Sequence, residues 1–548
     1  MPSETYNVGC YLLDRIVELG CTELFGVPGD YNLRFLDDVV ANEKLNWVGC
    51  CNELNGAYAA DGYARCRGIG AVLTTYGVGE LSALNALAGA YAEFNPVVHI
   101  VGAPSTADVD AQLMKHHTLG EGYFHHFCLM SEQISCATTR LTARNAVIEI
   151  DRVLTEIRYQ RKPGYIMLPM DVAVFKVDPP VAPMAVRQPE LCPESLKAFA
   201  AGVDEKLRVA KRPAALVGYL CDRFACNALA QKLVDEAKIP FAHMLLGKGA
   251  LNEQSESYIG CYFGATCNEY VRKTIEESDA CVLIGVKFHD FGTGYFSHKI
   301  DSENTIHILP FCARIGLTRF PQVPMALAIE AVFTAAMKYC SAWPKSFMKP
   351  PSFDKPKDDK FNGHHFWSEV QAGLTEGDIV VVDQGTSSAA SAGLILPKNG
   401  TLIVQCLWGS IGYSIPAAFG AQIAKPDRRV VLAVGDGSAQ MTVQEWGSFM
   451  RFGLHPLIFL VNNDGYVIER VIHGWNAVYN DIGAWNWTAL IKALTVKDDP
   501  EAVTVQEPGK ILPIMERTQK NRDKLVFVEV MLGRHEMPVV SLAWKPMN

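Results

Sequence analysis

Residues 435–463 read GDGSAQMTVQEWGSFMRFGLHPLIFLVNN. The apolar run at 430–434 just before them predicts a buried strand. Gly435-Asp436-Gly437-Ser438 then predicts a tight turn opening a helix, and 456–461 a second strand ending in Asn462-Asn463. A strand–turn–helix–strand unit places both polar ends at the carboxyl edge of one parallel sheet, where α/β proteins bind ligands. Asp436 and Asn463 would converge there as oxygen ligands for a hard cation such as Mg²⁺. Gly437 lets the backbone approach a phosphate, and the helix N-terminus attracts its charge. An acidic turn followed by an unrelated asparagine pair is the plainer alternative.

The 548 residues suggest three to four domains. Hydrophobic content of 49% and charged content of 20% are ordinary for a globular protein. A net charge of −9 and a pI near 5.9 argue against a nucleic-acid surface. No run of about 18 apolar residues predicts a membrane span, and the first residues lack the basic and apolar regions of a signal peptide. Sixteen scattered cysteines without a CxxC predict buried, reduced thiols in a cytoplasmic protein.

Three blocks emerge, each alternating strands with helices, so the expected fold class is α/β with three doubly wound parallel sheets. The first block, 1–180, has strands expected at 24–27, 71–75, 97–101 and 165–168. A proline-rich link, DPPVAP at 178–183, leads to the second block, 190–342, with strands at 214–218, 281–286 and 305–309. A second linker precedes the third block, 360–548, which carries the opening motif. The sequences AYAEFNPVVHIVG at 90–102 and GSFMRFGLHPLIFLVN at 447–462 echo one another. The echo fits two copies of one fold, or the common grammar of α/β chains. Gly77-Val78-Gly79-Glu80 lacks the third glycine of a dinucleotide fingerprint.

Other motifs stand out. Asp30 follows Pro28-Gly29 in a strand-end turn. Glu53, in CNELN, is placed like a capping carboxylate before a helix of small residues. His116-His117 has no third ligand at zinc spacing. Glu469 reads as a helix-face charge.

Together, FGVPGDYNL, NELNGAYAADGYAR, TTYGVGELSALNALAGAYAE, KHHTLG, LWGSIGYS, VGDGSAQMTVQE and VNNDGYVIERVIHG resemble the thiamine diphosphate-dependent 2-keto acid decarboxylases over essentially the whole chain. The resemblance implies a pyrimidine-binding domain, a middle domain without cofactor and a diphosphate-binding domain. It implies decarboxylation of a 2-keto acid to an aldehyde through a cofactor ylide and an enamine. Glu53 matches the glutamate on N1′ of the aminopyrimidine, Gly409 the carbonyl that accepts its 4′-amino group, and Ile411 the wedge beneath the cofactor. Asp436, Asn463 and the carbonyl of Gly465 match the Mg²⁺ ligands, and Thr386 and Ser438 the diphosphate hydroxyls. Pro28, Thr75, Gly437 and Ile468 also match cofactor-binding positions. Asp30, His116, His117 and Glu469 match the proton-handling residues. Val467 stands where the family often has threonine, so one phosphate contact worth about 1 kcal/mol would be lost. The family's subunits share active sites, which implies a homodimer and a homotetramer built from it, with no nucleic acid or membrane partner.

Ser388 and Ala389 align with positions that often carry aromatics. The expectation is a roomy pocket for aromatic, branched or long-chain 2-keto acids, completed by Phe291, Ile468, Ile472 and Trp544. Pyruvate decarboxylation, and a carboligase resembling acetolactate synthase, are the competing readings. The paired histidines favour the decarboxylase over the carboligase.

Overall fold

Three sheets dominated by parallel pairs carry the fold of this computed structural model, which describes residues 6–350, 353, 356 and 359–537. The first sheet holds β1 (Glu23–Gly26), β2 (Asn46–Gly49), β3 (Gly70–Thr75), β4 (Val97–Ala103), β5 (Thr138–Arg140) and β6 (Gly164–Pro169). The second holds β7 (Pro213–Val217), β8 (Phe241–His243), β9 (Tyr258–Cys261), β10 (Ala280–Ile284), β11 (Thr305–Leu309), β12 (Cys312–Ile315) and β13 (Thr318–Pro321). The third holds β14 (Ile379–Val382), β15 (Thr401–Ile403), β16 (Val430–Gly435), β17 (Leu457–Asn462), β18 (Glu501–Val505) and β19 (Val526–Met531). Helices alternate with the strands, so the fold is α/β. Strands β3, β4, β6, β7 and β10 are buried at every residue. Cover on both faces is what an unbroken apolar run in a parallel sheet requires.

The first sheet runs β2-β1-β3-β4-β6-β5 and the third β15-β14-β16-β17-β19-β18. Counted within each sheet this is the same order, so the sequence echo reflects a repeated topology. The order reverses between β1 and β3, and again between β14 and β16. Those are the points where a crevice opens at the carboxyl edge. The second sheet runs β13-β12-β11-β10-β7-β8-β9. Its last two strands depart from the all-parallel expectation, because β12 is antiparallel to both β11 and β13. Only two residues separate β11 from β12, and β12 from β13, and Gly316 in the second turn has φ +56°. So short a connection reverses the chain, whereas a parallel crossover needs a dozen residues or more.

By packing, the described chain divides into two units rather than the three blocks of the sequence. The first comprises residues 1–188, 415–427 and 442–454; the second comprises 189–414, 428–441 and 455–548. Residues 415–427 join the first unit through a backbone crossing. A Cβ on Gly62 would lie 2.1 Å from the carbonyl oxygen of Ala417, and one on Gly420 would lie 1.8 Å from that of Ala59. Helices Glu53–Arg67 and Ser414–Ala424 can meet this closely only because glycine has no side chain. Phe419 fills the flank, edge-on to Phe25 and Phe449.

Two expectations need correction. Residues Met325–Ala342 are apolar and long enough, by length and composition, to cross a membrane. Their helix instead buries Ala328, Ile329, Val332, Ala335 and Ala336 inside the second unit, as a core helix does. All sixteen cysteines are free, but Cys51 is exposed and nine others are only partly buried.

The second unit contains a charged knot. Lys248 and Glu253 are fully buried, with Nζ 3.0 Å from both carboxylate oxygens. Lys248 also donates to Leu394 O (2.7 Å), and Glu253 accepts from Leu396 N (2.8 Å). Burial alone would push the Glu253 carboxyl up, but Lys248 and His243 bring it down to about 2. Its folded value is depressed, so its stabilisation is complete above the usual glutamate range and is lost as pH falls toward 2. Glu253→Gln strands a buried ammonium and should cost about 3–5 kcal/mol in chemical denaturation at neutral pH, whereas a Lys248→Met/Glu253→Leu double variant should cost markedly less. Equal losses in the two variants would refute this account.

Candidate active site

In the first unit, functional side chains gather at the carboxyl edge where β1 meets β3. The turn after β1 is held by buried Asn32, which accepts from Gly29 N (2.9 Å) and donates to Val27 O (3.4 Å). The turn lies against β3: a Cβ on Gly29 would stand 2.6 Å from Thr75 Cβ. Thr75 Oγ1 is buried and has no partner among the described residues. Asp30 projects from this turn and meets His116, Oδ2 to Nε2 at 2.7 Å. His116 stacks on Tyr31 at 4.7 Å and packs edge-on against His117 at 4.6 Å. Ligand-type atoms of Asp30, His116 and His117 all lie within 4.8 Å of one another. Asp30 is thus the third group that zinc spacing along the sequence did not supply. His117 has φ +65°. Its carbonyl abuts Gly77, where a Cβ would sit 2.1 Å from the oxygen, so the histidine loop rests on a bare turn.

Glu53 is the first residue of its helix, but the capping role expected of it belongs to Asn52, whose side chain accepts from Asn55 N at 2.8 Å. The Glu53 carboxylate is therefore left for other work. A Cβ on Gly79 would touch both Glu53 Oε1 (3.2 Å) and Thr75 Cγ2 (3.1 Å), which locates Glu53 in the same crevice. Glu445, fully buried, reinforces this placement. Its Oε2 accepts from Cys51 N (3.3 Å) and Asn55 Nδ2 (2.9 Å), on either side of Glu53 in the chain.

In the second unit, the corresponding edge lies between β14 and β16. Buried Asp436 opens helix Asp436–Thr442 and accepts from Gly437 N (2.8 Å) and Gly465 N (3.0 Å). Burial raises its carboxyl to about 6, against the opposing backbone donors. It forms no salt bridge among the described residues. Asp436 is thus gathered with the backbone of Asn463 and Gly465 at one strand edge. Gly437 must be glycine, since a Cβ would strike the Tyr466 ring at 2.4 Å. Arg470, fully buried, laces the loop that holds Asn463 and Gly465. It donates to the carbonyls of Asn463, Asp464 and Asn480 and to Asp481 Oδ1.

Asp383, at the end of β14, is buried and accepts from Gly412 N (3.1 Å) and Ser414 N (3.0 Å). Burial raises its carboxyl. It pins the loop bearing Gly409 and Ile411, in which Gly409 and Gly412 have φ +72° and +86°. Thr386, Asn463 and Val467 border one recess of 30 Å³. Ser438 is buried at the start of its helix. Glu469 is exposed, and Ile468 and Ile472 partly buried, on helix Val467–His473.

Phe291, Ala389 and Ile468 belong to one apolar cluster. The open space expected beside positions 388 and 389 is not there, because both residues are fully enclosed. Ser388 Oγ turns back to Gly385 O (2.9 Å) and Gln384 Oε1 (3.1 Å), while Ala389 is packed within the cluster. Pro28 is exposed beside Asp30. Trp544 lies outside the described residues.

Comparison with known proteins gives the same reading along the chain. Residues 6–126 match the thiamine pyrophosphate enzyme N-terminal TPP binding domain, 201–336 the central domain and 383–530 the C-terminal TPP binding domain. The chain belongs to the thiamine pyrophosphate enzyme family. Thiamine diphosphate is its cofactor. The orphaned Thr75 hydroxyl, the bare Gly437 turn and the uncompensated Asp436 carboxylate all fit such a guest. Similar proteins include those named alpha-keto-acid decarboxylase from Mycobacterium ulcerans (44% identical, covering 97% of this chain and 94% of the relative) and Mycobacterium bovis (45%, covering 97% and 95%). That of Mycobacterium leprae is 43% identical, covering 98% and 95%.

Glu445, Arg470, Asp383 and Asn32 escaped the sequence reading. So did Glu80, which accepts from Gly77 N (2.8 Å) and Tyr165 OH (2.8 Å) beneath the histidine loop. Burial raises the Glu80 carboxyl to about 7, against both hydrogen bonds. The charged form is disfavoured in the fold, so a penalty absent below the usual glutamate range grows as pH rises through about 7. Glu80→Gln keeps both contacts, because the Tyr165 phenol can reverse its role. Its melting temperature relative to the parent should therefore rise between pH 5 and pH 8, measured by thermal unfolding at both. A difference independent of pH would refute the assignment.

Proposed function

We propose that this protein catalyses the non-oxidative decarboxylation of a 2-keto acid to an aldehyde and CO₂, with thiamine diphosphate and Mg²⁺. The observation that carries the reading is the Asp30–His116–His117 group at the first sheet's crevice, in a chain whose similar proteins are named alpha-keto-acid decarboxylase. The bound cofactor supplies the nucleophilic carbon and the electron sink. With the cofactor bound, Glu53 would hydrogen-bond N1′ of its aminopyrimidine, the Gly409 carbonyl would accept from its 4′-amino group, and Ile411 would pack against it. Asp436, Asn463 and the Gly465 carbonyl hold Mg²⁺, and the hydroxyls of Thr386 and Ser438 hold the diphosphate. Asp30, His116, His117 and Glu469 deliver the proton that replaces the departing carboxylate. Asp30 Oδ2 and His116 Nε2, 2.7 Å apart, are placed to pass a proton between them.

We further propose a preference for bulky, apolar 2-keto acids. The apolar cluster shared by Phe291, Ala389 and Ile468 supports it. The full set of free thiols supports a cytoplasmic, reducing location. The test is CO₂ release from pyruvate, 2-ketoisovalerate, phenylpyruvate, indolepyruvate and 2-keto-octanoate, with and without thiamine diphosphate and Mg²⁺. Turnover should require both and fall at least about a hundredfold in Glu53→Gln. Higher kcat/KM for phenylpyruvate than for pyruvate is expected; the reverse order removes the bulky-substrate proposal alone. No aldehyde from any acid, despite bound cofactor, removes the decarboxylase reading.

We also propose a homodimer with shared active sites, pairing into a homotetramer. Light scattering coupled to size exclusion should return four chains per particle, or two on dilution. A fully active monomer would overturn the shared-site proposal.

A further inference from the structure

A cavity of 750 Å³ opens in the first unit beside the carboxyl ends of β4, β5 and β6. Phe124, Leu141 and Met167 give it an apolar side, and Arg140 and His125 a polar one. The Arg140 guanidinium lies against the His125 imidazole and has no salt bridge among the described residues. Glu149, also on the wall, is already held by Arg152 through bonds of 2.8 and 2.7 Å. Tyr76 closes the inner end. Its hydroxyl is buried and has no hydrogen-bond partner among the described residues.

This cavity is separate from the crevice described above. None of Glu53, Asp30, His116 and His117 lines it. An aromatic layer stands between them: Tyr76 packs edge-on against Tyr31 and Phe127, and tilts against Phe124.

We infer that the cavity binds a small amphipathic monocarboxylate. Its carboxylate faces Arg140, and its apolar body lies against Phe124, Leu141 and Met167. A guanidinium with no carboxylate partner among the described residues selects for one by its planar fork of donors. Exposed Asp110 and Glu132 on the rim select against phosphate-rich or polyanionic ligands. An occupant would press on Tyr76 and Phe124. Tyr76 directly precedes Gly77, on which the His117 carbonyl rests, so occupancy reaches the histidine loop without entering the reaction crevice.

Phenylacetate is the probe, since it has the carboxylate and the apolar ring but no keto group. It is titrated calorimetrically into cofactor-loaded enzyme, parent and variant. Arg140 is exposed on an edge strand, and Arg140→Gln should keep the parent's circular dichroism. One phenylacetate site per chain is expected in the parent and should weaken at least about tenfold in Arg140→Gln. Equal stoichiometry and affinity in the parent and Arg140→Gln overturn the proposal.

Discussion

Two helices of this protein touch backbone to backbone, and much of the first unit follows from that contact. Gly62 in helix Glu53–Arg67 and Gly420 in helix Ser414–Ala424 each meet a carbonyl of the other helix at a distance no side chain tolerates. The crossing fixes helix Glu53–Arg67 from end to end, because its flanking residues are also small: Ala57, Ala59, Ala60 and Ala64 are all buried. Glu445 then grips the first turn of the same helix through Cys51 and Asn55. A carboxylate at position 53 is therefore aimed by packing along fifteen residues and by one buried acid. Its placement owes nothing to a loop that must find its own conformation.

How much of this could be read from the chain depended on the length and burial of each segment. The long apolar strands β3, β4, β6, β10, β16 and β17 were legible within a residue or two, because cover on both faces demands an unbroken hydrophobic run. Strands β2, β5, β12, β13 and β18 were not. Asn46–Gly49 is exposed at its start, Thr138–Arg140 spans three residues, and Glu501–Val505 is only partly buried until its last residue. Edge positions carry polar side chains, and polar side chains carry no strand signal. The antiparallel pair β12–β13 depended on two short turns that no hydrophobic pattern encodes. Helices Glu53–Arg67 and Val78–Ala92 were legible as helices, but their buried faces were not. Alanine and glycine on every side leave no apolar stripe to read.

The site divides along similar lines. Asp436, Asn463, Glu53 and the paired histidines stood out because polar groups at strand ends are conspicuous. Residues that hold them did not. Asn32, Glu80, Asp383, Glu445 and Arg470 are buried polar side chains whose partners lie in other segments or on backbone atoms, and such pairings have no spacing rule. Ser388 and Ala389 show the opposite failure. Their small size suggested open space, yet a hydroxyl can spend itself on its own helix start, and neighbours can close over a methyl group.

Arg470 has a consequence for how quickly and how tightly a guest can settle. Four of its acceptors span residues 463–481, so the loop carrying Asn463 and Gly465 is tied down before any cation arrives. Freezing a free loop of that length at the moment of binding would consume on the order of 1 kcal/mol for each residue ordered. This protein meets that entropy during folding, and the binding event inherits a cradle already shaped. Affinity for the diphosphate end is then set by the contacts themselves. Its temperature dependence should follow desolvation of the crevice more than ordering of the chain.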